Sequence, residues 1–531
     1  MIIRNFFLSL LVSFGSFLSS SHCEAQVTPF SKAVSVNDHQ QAFIPMPQQD
    51  KAAMDKLAAL QKRMGKKPNI LWFVIDDMGY GDPGCFGGGA AIGAATPNMD
   101  GLAREGLKLT SVYAQPTCTP TRSAILTGRI PYRTGLTRPI LAGDKLTKNP
   151  WADEISLPAI LSASGYKTVL SGKWHVGELE GMRPPEVGFD EWLGWYAAEK
   201  EISQSYDKRR YPDLVLDTFK LNAYNALNAG RDLMFGTKGG KIVTKKVTTS
   251  TEDMAQGDEV LKAYTIQKID EFAKSGAPFF LEHCFMKVHA DNFASKEYEG
   301  KSDSKFPYKD DVVEVDGIIG DIVKELEKKG LLENTFIFIT SDNGPQEDSW
   351  PDGGYTPFRG GKGTAWEGGT RVPGIAYWKG MISAGRESAE LFDLMDLFNT
   401  SLTIAGVPQK LPADRYIDGI DQTSFLLVDS AHSKRDRVFT WVESQFSSIR
   451  MYEYKEYFQY TSAETDMMNI DYSSHGQVGL APWLFNLYID PKERMPVGHR
   501  LNAWTAVMMA EAKAHSATFK KFPPKDIGLG Q

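Results

Sequence analysis

Cysteine is scarce: 4 occur in 531 residues, at Cys23, Cys85, Cys118 and Cys284, and so few rule out a disulfide framework as the source of stability. Cys85 and Cys284 read as buried small apolar side chains rather than as a bridge. Positive charge is not in excess either. The 59 Lys and Arg stand against 66 Asp and Glu, a net charge of -7, so no basic field favours nucleic acid. Beyond the N-terminus no run is long and uncharged enough to span a bilayer, and there is no internal repeat or low-complexity tract. The apolar run Phe6 to Leu18, preceded by Arg4, has the length and flank of a signal-peptide core. It predicts export, periplasmic or secreted, with 1–25 as the signal peptide. His22 stands before Cys23 where a lipoprotein signal wants a small residue, which argues against lipid anchoring at Cys23.

What is present is ample apolar material, 42% of the chain, enough for one large domain and a smaller one. Residues 26–66 read as an N-terminal arm carrying a helix from Asp50 to Met64 that Gly65 stops. Short apolar runs then alternate with helix-like segments: Ile70 to Ile75, Thr168 to Leu170, Pro278 to Phe285 and Thr335 to Thr340. Fully apolar strands alternating with helices predict an α/β fold with a large, mostly parallel central sheet flanked by helices. Cover helices are expected after Thr96-Pro97, stopped by Gly106, and from about Val313 to Lys329 with an Ile-rich face. The stretch from Tyr196 to Ser250 lacks periodicity and reads as an insertion near the site. After Ser433 the pattern turns to short aromatic-rich runs, Val438 to Val442, Tyr452 to Tyr460 and Leu484 to Ile489. They predict a smaller C-terminal α+β subdomain with an antiparallel sheet over 434–531, following a catalytic domain over 67–433.

Several strand-like runs end in polar clusters: Asp76-Asp77, Lys173 with His175, Lys287 with His289, and Asp342-Asn343. Ligands of open α/β sheets bind outside the carboxyl ends of the strands, so these clusters are expected to converge. Asp76, Asp77, Asp342 and Asn343 would offer three carboxylates and an amide oxygen, a hard-oxygen set suited to Ca²⁺, or second to it Mg²⁺, rather than zinc. Each pair alone reads equally as a turn or cap; jointly the metal reading is preferred. Lys173 and His175, two apart, share a side if the backbone is extended, and Lys287 and His289 repeat the spacing.

The segment Cys118-Thr119-Pro120-Thr121-Arg122-Ser123-Ala124-Ile125-Leu126-Thr127-Gly128-Arg129 puts Cys118 at a helix N-terminus, where amide groups and the dipole favour an anion. By itself Cys118 reads as an inert core cysteine or as a thiolate nucleophile. The Gly-rich stretch Gly360-Gly361-Lys362-Gly363-Thr364 is no P-loop, because Gly363 stands where Ser or Thr must follow Lys362. Glu367 and Arg371 read as an internal ion pair or turn support rather than as catalytic groups.

The Cys118 segment resembles the sulfatase signature, Cys-x-Pro-x-Arg with a Thr-Gly-Arg tail. The resemblance runs in order from Pro68 to about Asp490: the metal strand Pro68 to Asp82, Gly172-Lys173-Trp174-His175-Val176-Gly177, Ser341-Asp342-Asn343-Gly344, and Gly360 to Pro373. Thr121 replaces the commoner Ser, and Val288 stands where relatives have Pro before His289. The resemblance implies a formylglycine made from Cys118 by a formylglycine-generating or anaerobic sulfatase-maturating enzyme, with Pro120 and Arg122 as the recognition core. It implies a sulfuric ester hydrolase whose formylglycine hydrate attacks sulfur beside bound Ca²⁺. Lys173, Lys362 and Arg122 would neutralise the sulfate, His289, alone or with Lys362, would protonate the leaving oxygen, Asp342 would accept a proton, and His175 would regenerate the aldehyde. Sulfated glycan, aryl sulfate and sulfolipid all fit such a site. The rivals are a phosphatase or phosphonate monoester hydrolase of the same superfamily, and a sulfated-glycan-binding protein with an unmodified Cys118 thiol.

Overall fold

The computed structural model describes residues 33–141, 144–197, 217–218, 232–248, 251–290, 292–346, 353–461, 475–478, 481–497 and 501–529. The signal-like segment, Cys23 and most of the expected insertion lie outside the described residues. Among the described residues, no helix is long and apolar enough to cross a membrane.

Apolar runs of β-branched and aromatic residues form the strands. In chain order they are β1 Asn69–Ile75, β2 Leu107–Tyr113, β3 Lys167–Gly172, β4 Glu191–Gly194, β5 Leu233–Thr237, β6 Val243–Lys246, β7 Phe279–Cys284, β8 Thr335–Ser341, β9 Arg371–Tyr377, β10 Arg386–Ser388 and β11 Phe392–Asp393. They make one sheet in the order β10-β2-β9-β8-β1-β7-β3-β4-β5-β6, with β11 beside β2. The central run β8-β1-β7-β3-β4 is parallel throughout, and antiparallel pairs occur only on either side of it. The expected mostly parallel sheet is therefore observed. Every residue of β1, β7 and β8 is buried, because helices cover both faces.

The helix Pro307–Lys328 buries Val312, Val315, Ile318, Ile319 and Ile322 against one face, starting six residues before the expected Val313. Its burial pattern follows the helical period. The helix Pro97–Glu105 begins as expected at the proline. Pro47–Met64 also forms, closed by Gly65 at φ 66°, and packs Ala53, Leu57 and Leu60 into the core. Cys284 is buried, while Cys85 is only partly so; both are free thiols, as expected.

A second, antiparallel sheet follows, built from β12 Arg437–Val442, β13 Gln445–Met451, β14 Tyr454–Tyr457 and β17 Trp483–Asn486, with a two-stranded ribbon, β15 Gln459–Thr461 and β16 His475–Gln477. The helix Asn502–Lys521, which periodicity did not single out, lays Met508 and His515 on this sheet beside Phe439 and Trp441.

Candidate active site

Strand register sets the site. Ile75 pairs with Ser341, and Val74 and Gly172 both pair with Cys284, so β8, β1, β7 and β3 end at one level. The next residues, Asp342-Asn343, Asp76-Asp77 and Lys173, therefore emerge side by side along the carboxyl edge. Gly172 is required there: at φ 118°, a Cβ would sit 1.7 Å from the Cys284 carbonyl oxygen. Asp77 and His175 take φ of 60° and 57°, a left-handed conformation that costs non-glycine residues about 1–3 kcal/mol and clusters at functional sites. The turn at His175 also corrects the expectation that an extended backbone carries Lys173 and His175 to one side.

The helix Cys118–Thr127 starts at the same edge and ends at Gly128, φ 68°. Ligand atoms of Asp76, Asp77, Asp342 and Cys118 all lie within 4.8 Å of one another, and all four residues are buried. The Cys118 thiol donates to Asp76 Oδ1 at 3.4 Å. Cations hold the other carboxylate oxygens: Lys173 Nζ donates to Asp76 Oδ2 at 2.5 Å, Lys362 Nζ to Asp77 Oδ2 at 2.8 Å, and Arg122 to Asp342 Oδ2 through Nε at 3.0 Å and Nη2 at 2.7 Å. His289 Nε2 is 3.7 Å from Asp77 Oδ2. The Asn343 amide donates to Asp77 Oδ1 at 2.7 Å, and its own carbonyl oxygen, Oδ1, is buried without a partner among the described residues.

The charges shift one another. Burial pushes Asp76 and Asp77 up, but Lys173 and His289 on the first, and Lys362 and His289 on the second, outweigh it and hold both carboxyls below the usual range. Burial, with Asp76 close by, leaves Asp342 above it despite Arg122. Burial and then Asp342 raise the Cys118 thiol well above its ordinary value, so at neutral pH the sulfur stays protonated, the wrong state for a thiolate nucleophile. Burial, Lys173 and Arg122 drive His175 well below 6.5, to neutral imidazole. Its Nε2 lies 3.3 Å from the Ile140 carbonyl, and its Nδ1 is buried without a partner among the described residues.

The donor set fits a hard divalent cation. Three carboxylates meet in one buried place, with the Asn343 side-chain amide against Asp77, and such a set of oxygen donors answers to calcium or magnesium chemistry rather than to a soft metal. Lys173, Lys362 and Arg122 already balance Asp76, Asp77 and Asp342 one for one; a dication would leave a twofold positive surplus for an anion at the Cys118 helix N-terminus.

The sequence model of the sulfatase family matches residues 68–407. This chain belongs to the sulfatase family. It is 33% identical to N-acetylgalactosamine-6-sulfatase of Canis lupus familiaris over 456 residues, 81% of each chain, and 31% identical to arylsulfatase A of Homo sapiens over 446 residues, covering 81% of this chain and 83% of that one. The crystal structure of PsFucS1 sulfatase from Pseudoalteromonas sp. superposes with a TM-score of 0.88 at 47% identity, covering 94% of this chain and 99% of that one. The sulfatase chain is accordingly a sulfuric ester hydrolase.

Of the residues singled out from sequence, Asp76, Asp77, Cys118, Arg122, Lys173, Lys362, Asp342, Asn343 and His289 meet directly, and His175 lies within reach of their charges. Lys287 does not join them. Its Nζ turns away from the edge to Glu314 Oε1, 2.8 Å, and the Ala255 carbonyl, 2.9 Å. Glu367 and Arg371 form the expected ion pair, 3.3 Å. Unforeseen were the carboxyl groups of Asp258, Asp311 and Glu314 beneath the His289 loop. Their signal was legible in retrospect: Asp311 and Glu314 interrupt the apolar stripe of a helix that buries Val312 and Val315, and buried acids are rare unless paired.

Proposed function

We propose that this sulfatase hydrolyses sulfate monoesters with Cys118 converted to formylglycine and Ca²⁺ held by Asp76, Asp77, Asp342 and Asn343. The carrying observation is the meeting of three carboxylates with Cys118 Sγ, within 4.8 Å, at a helix N-terminus. When present, formylglycine supplies a hydrated aldehyde as the oxygen nucleophile and the ion supplies Lewis-acid charge.

The chain's own residues do the rest. Lys173, Lys362 and Arg122 bind the sulfate oxygens and offset the charge that develops on them, a contribution of about 3 kcal/mol per well-placed donor. They are desolvated and fixed in advance, Lys362 being only 3% exposed. His289 Nε2 gives a proton to the leaving oxygen. Asp342 accepts one as the nucleophile attacks, consistent with its raised carboxyl, and the neutral Nδ1 of His175 takes the proton whose removal lets sulfate depart. The similarity to N-acetylgalactosamine-6-sulfatase supports a sulfated sugar as the alcohol. Export is supported by the apolar run Phe6 to Leu18 preceded by Arg4.

Three measurements test the reading. Purified protein should cleave nitrophenyl sulfate or a sugar sulfate faster than nitrophenyl phosphate; the reverse order makes it a phosphatase. Mass spectrometry of the Cys118 peptide from the native host should show the aldehyde, and intact thiol in every molecule removes the nucleophile and favours a glycan-binding protein. For the ion, calorimetry on chelator-stripped protein should show Ca²⁺ binding and about 2.7 kcal/mol of added stability at a hundredfold excess over Kd. Asp77→Asn should abolish that gain, and a gain that survives the substitution refutes the site.

A further inference from the structure

One side of the His289 imidazole opens on a cavity lined by Trp195, Met254, Met286 and Phe293, and among the described residues the ring meets Asp77 at 3.7 Å and its neighbour's carbonyl, Ala290 O. Where the ring points depends on the backbone on which it stands. That backbone is pinned from two directions. On one side Val288 N donates to Asp76 O at 2.9 Å and Asp76 N to Lys287 O at 3.2 Å, tying the loop to the strand that carries the metal carboxylates.

On the other side stands a buried polar cluster from two helices. Asp258, on the helix Gly257–Ser275, accepts Met286 N at 3.0 Å and Lys287 N at 3.3 Å. Glu314 accepts Lys287 Nζ at 2.8 Å and Ser295 N at 2.8 Å, closing the far end. Between them the Asn292 amide donates to Val288 O at 2.9 Å, His289 O at 3.4 Å and Asp311 Oδ2 at 3.1 Å. Asn292 and Asp311 are 1% and 0% exposed, so these bonds do not compete with water. Burial holds Asp311 well above the ordinary carboxyl range despite Lys287.

We infer that Asn292, seated on Asp311, is a positioning residue that clamps the His289 main chain and so aims Nε2 at the leaving oxygen. The inference rests on His289 being the proton donor. The clamp contacts no substrate, and its work is the placement of one ring, where an error of 1 Å costs about 10²-fold.

Leaving-group dependence tests it. Protonation matters for a poor leaving group and hardly for a good one, so kcat/KM is measured on methoxyphenyl sulfate and nitrophenyl sulfate with matured, full-length enzyme. Asn292→Ala should lose about 30-fold on the first and less than about 3-fold on the second, within the range of a misplaced acid. Adding it to His289→Ala should cost nothing more. Asp311→Ala should repeat the pattern, and Asp311→Asn, which keeps an acceptor for the Asn292 amide, should restore it; this pair also serves if Asn292→Ala does not fold. Equal losses on both substrates, or a further loss in the His289→Ala background, overturn the clamp. If His289→Ala itself hits both sulfates equally, the proton-donor assignment fails first and the clamp falls with it, a result distinct from failure of Asn292 alone.

Discussion

Two buried charge clusters sit a short way apart in this molecule, and they are built on opposite plans. The candidate active-site cluster leaves atoms open: carboxylate oxygens crowd against Cys118 Sγ, and Asn343 Oδ1 and His175 Nδ1 have no partner among the described residues. The second cluster, around Glu367 and Glu493 where the large sheet meets the small one, is closed. Glu367 Oε1 accepts Lys455 at 2.9 Å; Oε2 accepts the Tyr113 hydroxyl at 2.7 Å and Arg371 at 3.3 Å, with Arg450 at 3.6 Å. Glu493 accepts the Glu367 main-chain amide at 3.0 Å and the Tyr457 hydroxyl at 2.5 Å. Burial would raise Glu367, yet Lys455, Arg450 and Arg371 pull its carboxyl down to about 2. A buried polar network satisfied on every atom rigidifies, whereas one with open valences is poised to bind.

The largest effect should come from emptying the open cluster. Cys118→Ala is expected to lower kcat by about 10⁴-fold or more, the scale of losing a nucleophile. The melting temperature should move by no more than about 3 °C, since one small buried side chain replaces another. Activity assay and calorimetry on the same sample check the split, and a variant that unfolds while its folded fraction stays active breaks the contrast. The closed cluster should answer the other way. Glu367→Ala strands Lys455, Arg450 and Arg371 without their shared carboxylate, which costs about 3–5 kcal/mol for a broken buried pair. Denaturant titration reads that loss. Below the transition, kcat should stay within about 3-fold of the parent, because Glu367 pairs with Lys455, Arg450 and Arg371 rather than with Lys173, Lys362 or Arg122.

The same contrast explains what could be read from the chain alone. The central strands and the clustered carboxylates were legible because a parallel sheet needs continuous apolar runs and delivers whatever follows them to one edge, so Asp76-Asp77 and Asp342-Asn343 announced themselves by position. Cys118 was legible through its helix-start chemistry and a long signature. Lys287 misled because spacing says which residues share a segment, not which way a side chain turns; Glu314, on a helix 27 residues later in the chain, claims it. Partners at that separation leave no local pattern. The closed cluster joins Tyr113, Glu367, Arg371, Lys455 and Glu493, of which only the Glu367–Arg371 pair is near enough in sequence to be anticipated. The turn at His175 was hidden for the same reason, since it follows from the carbonyls of Trp195 and Tyr196, which accept Trp174 N and His175 N.

The smallest expected effect probes the far side of the small sheet. There His515 is 3% exposed, stacks on Phe439 at 3.9 Å, meets Phe519 edge-on, and accepts Trp441 Nε1 through its Nε2 at 3.1 Å. Burial, with Arg133 and Arg437 near, holds it well below 6.5. Folded protein thus keeps the ring neutral while the unfolded chain takes up a proton below about pH 6.5. The unfolded state then binds more protons, so stability rises with pH up to that value and is flat above it as far as this group is concerned. The slope contributed below it approaches about 1.4 kcal/mol per pH unit. His515→Gln, which retains an acceptor for Trp441 without a titrating ring, should flatten the stability profile between about pH 5 and pH 6.5 relative to the parent. Glu367→Ala should leave that slope in place while lowering the whole curve. A His515→Gln profile parallel to the parent's would mean that the folded ring titrates as freely as the unfolded one, and that the cations and aromatic walls around it exert no hold on its proton.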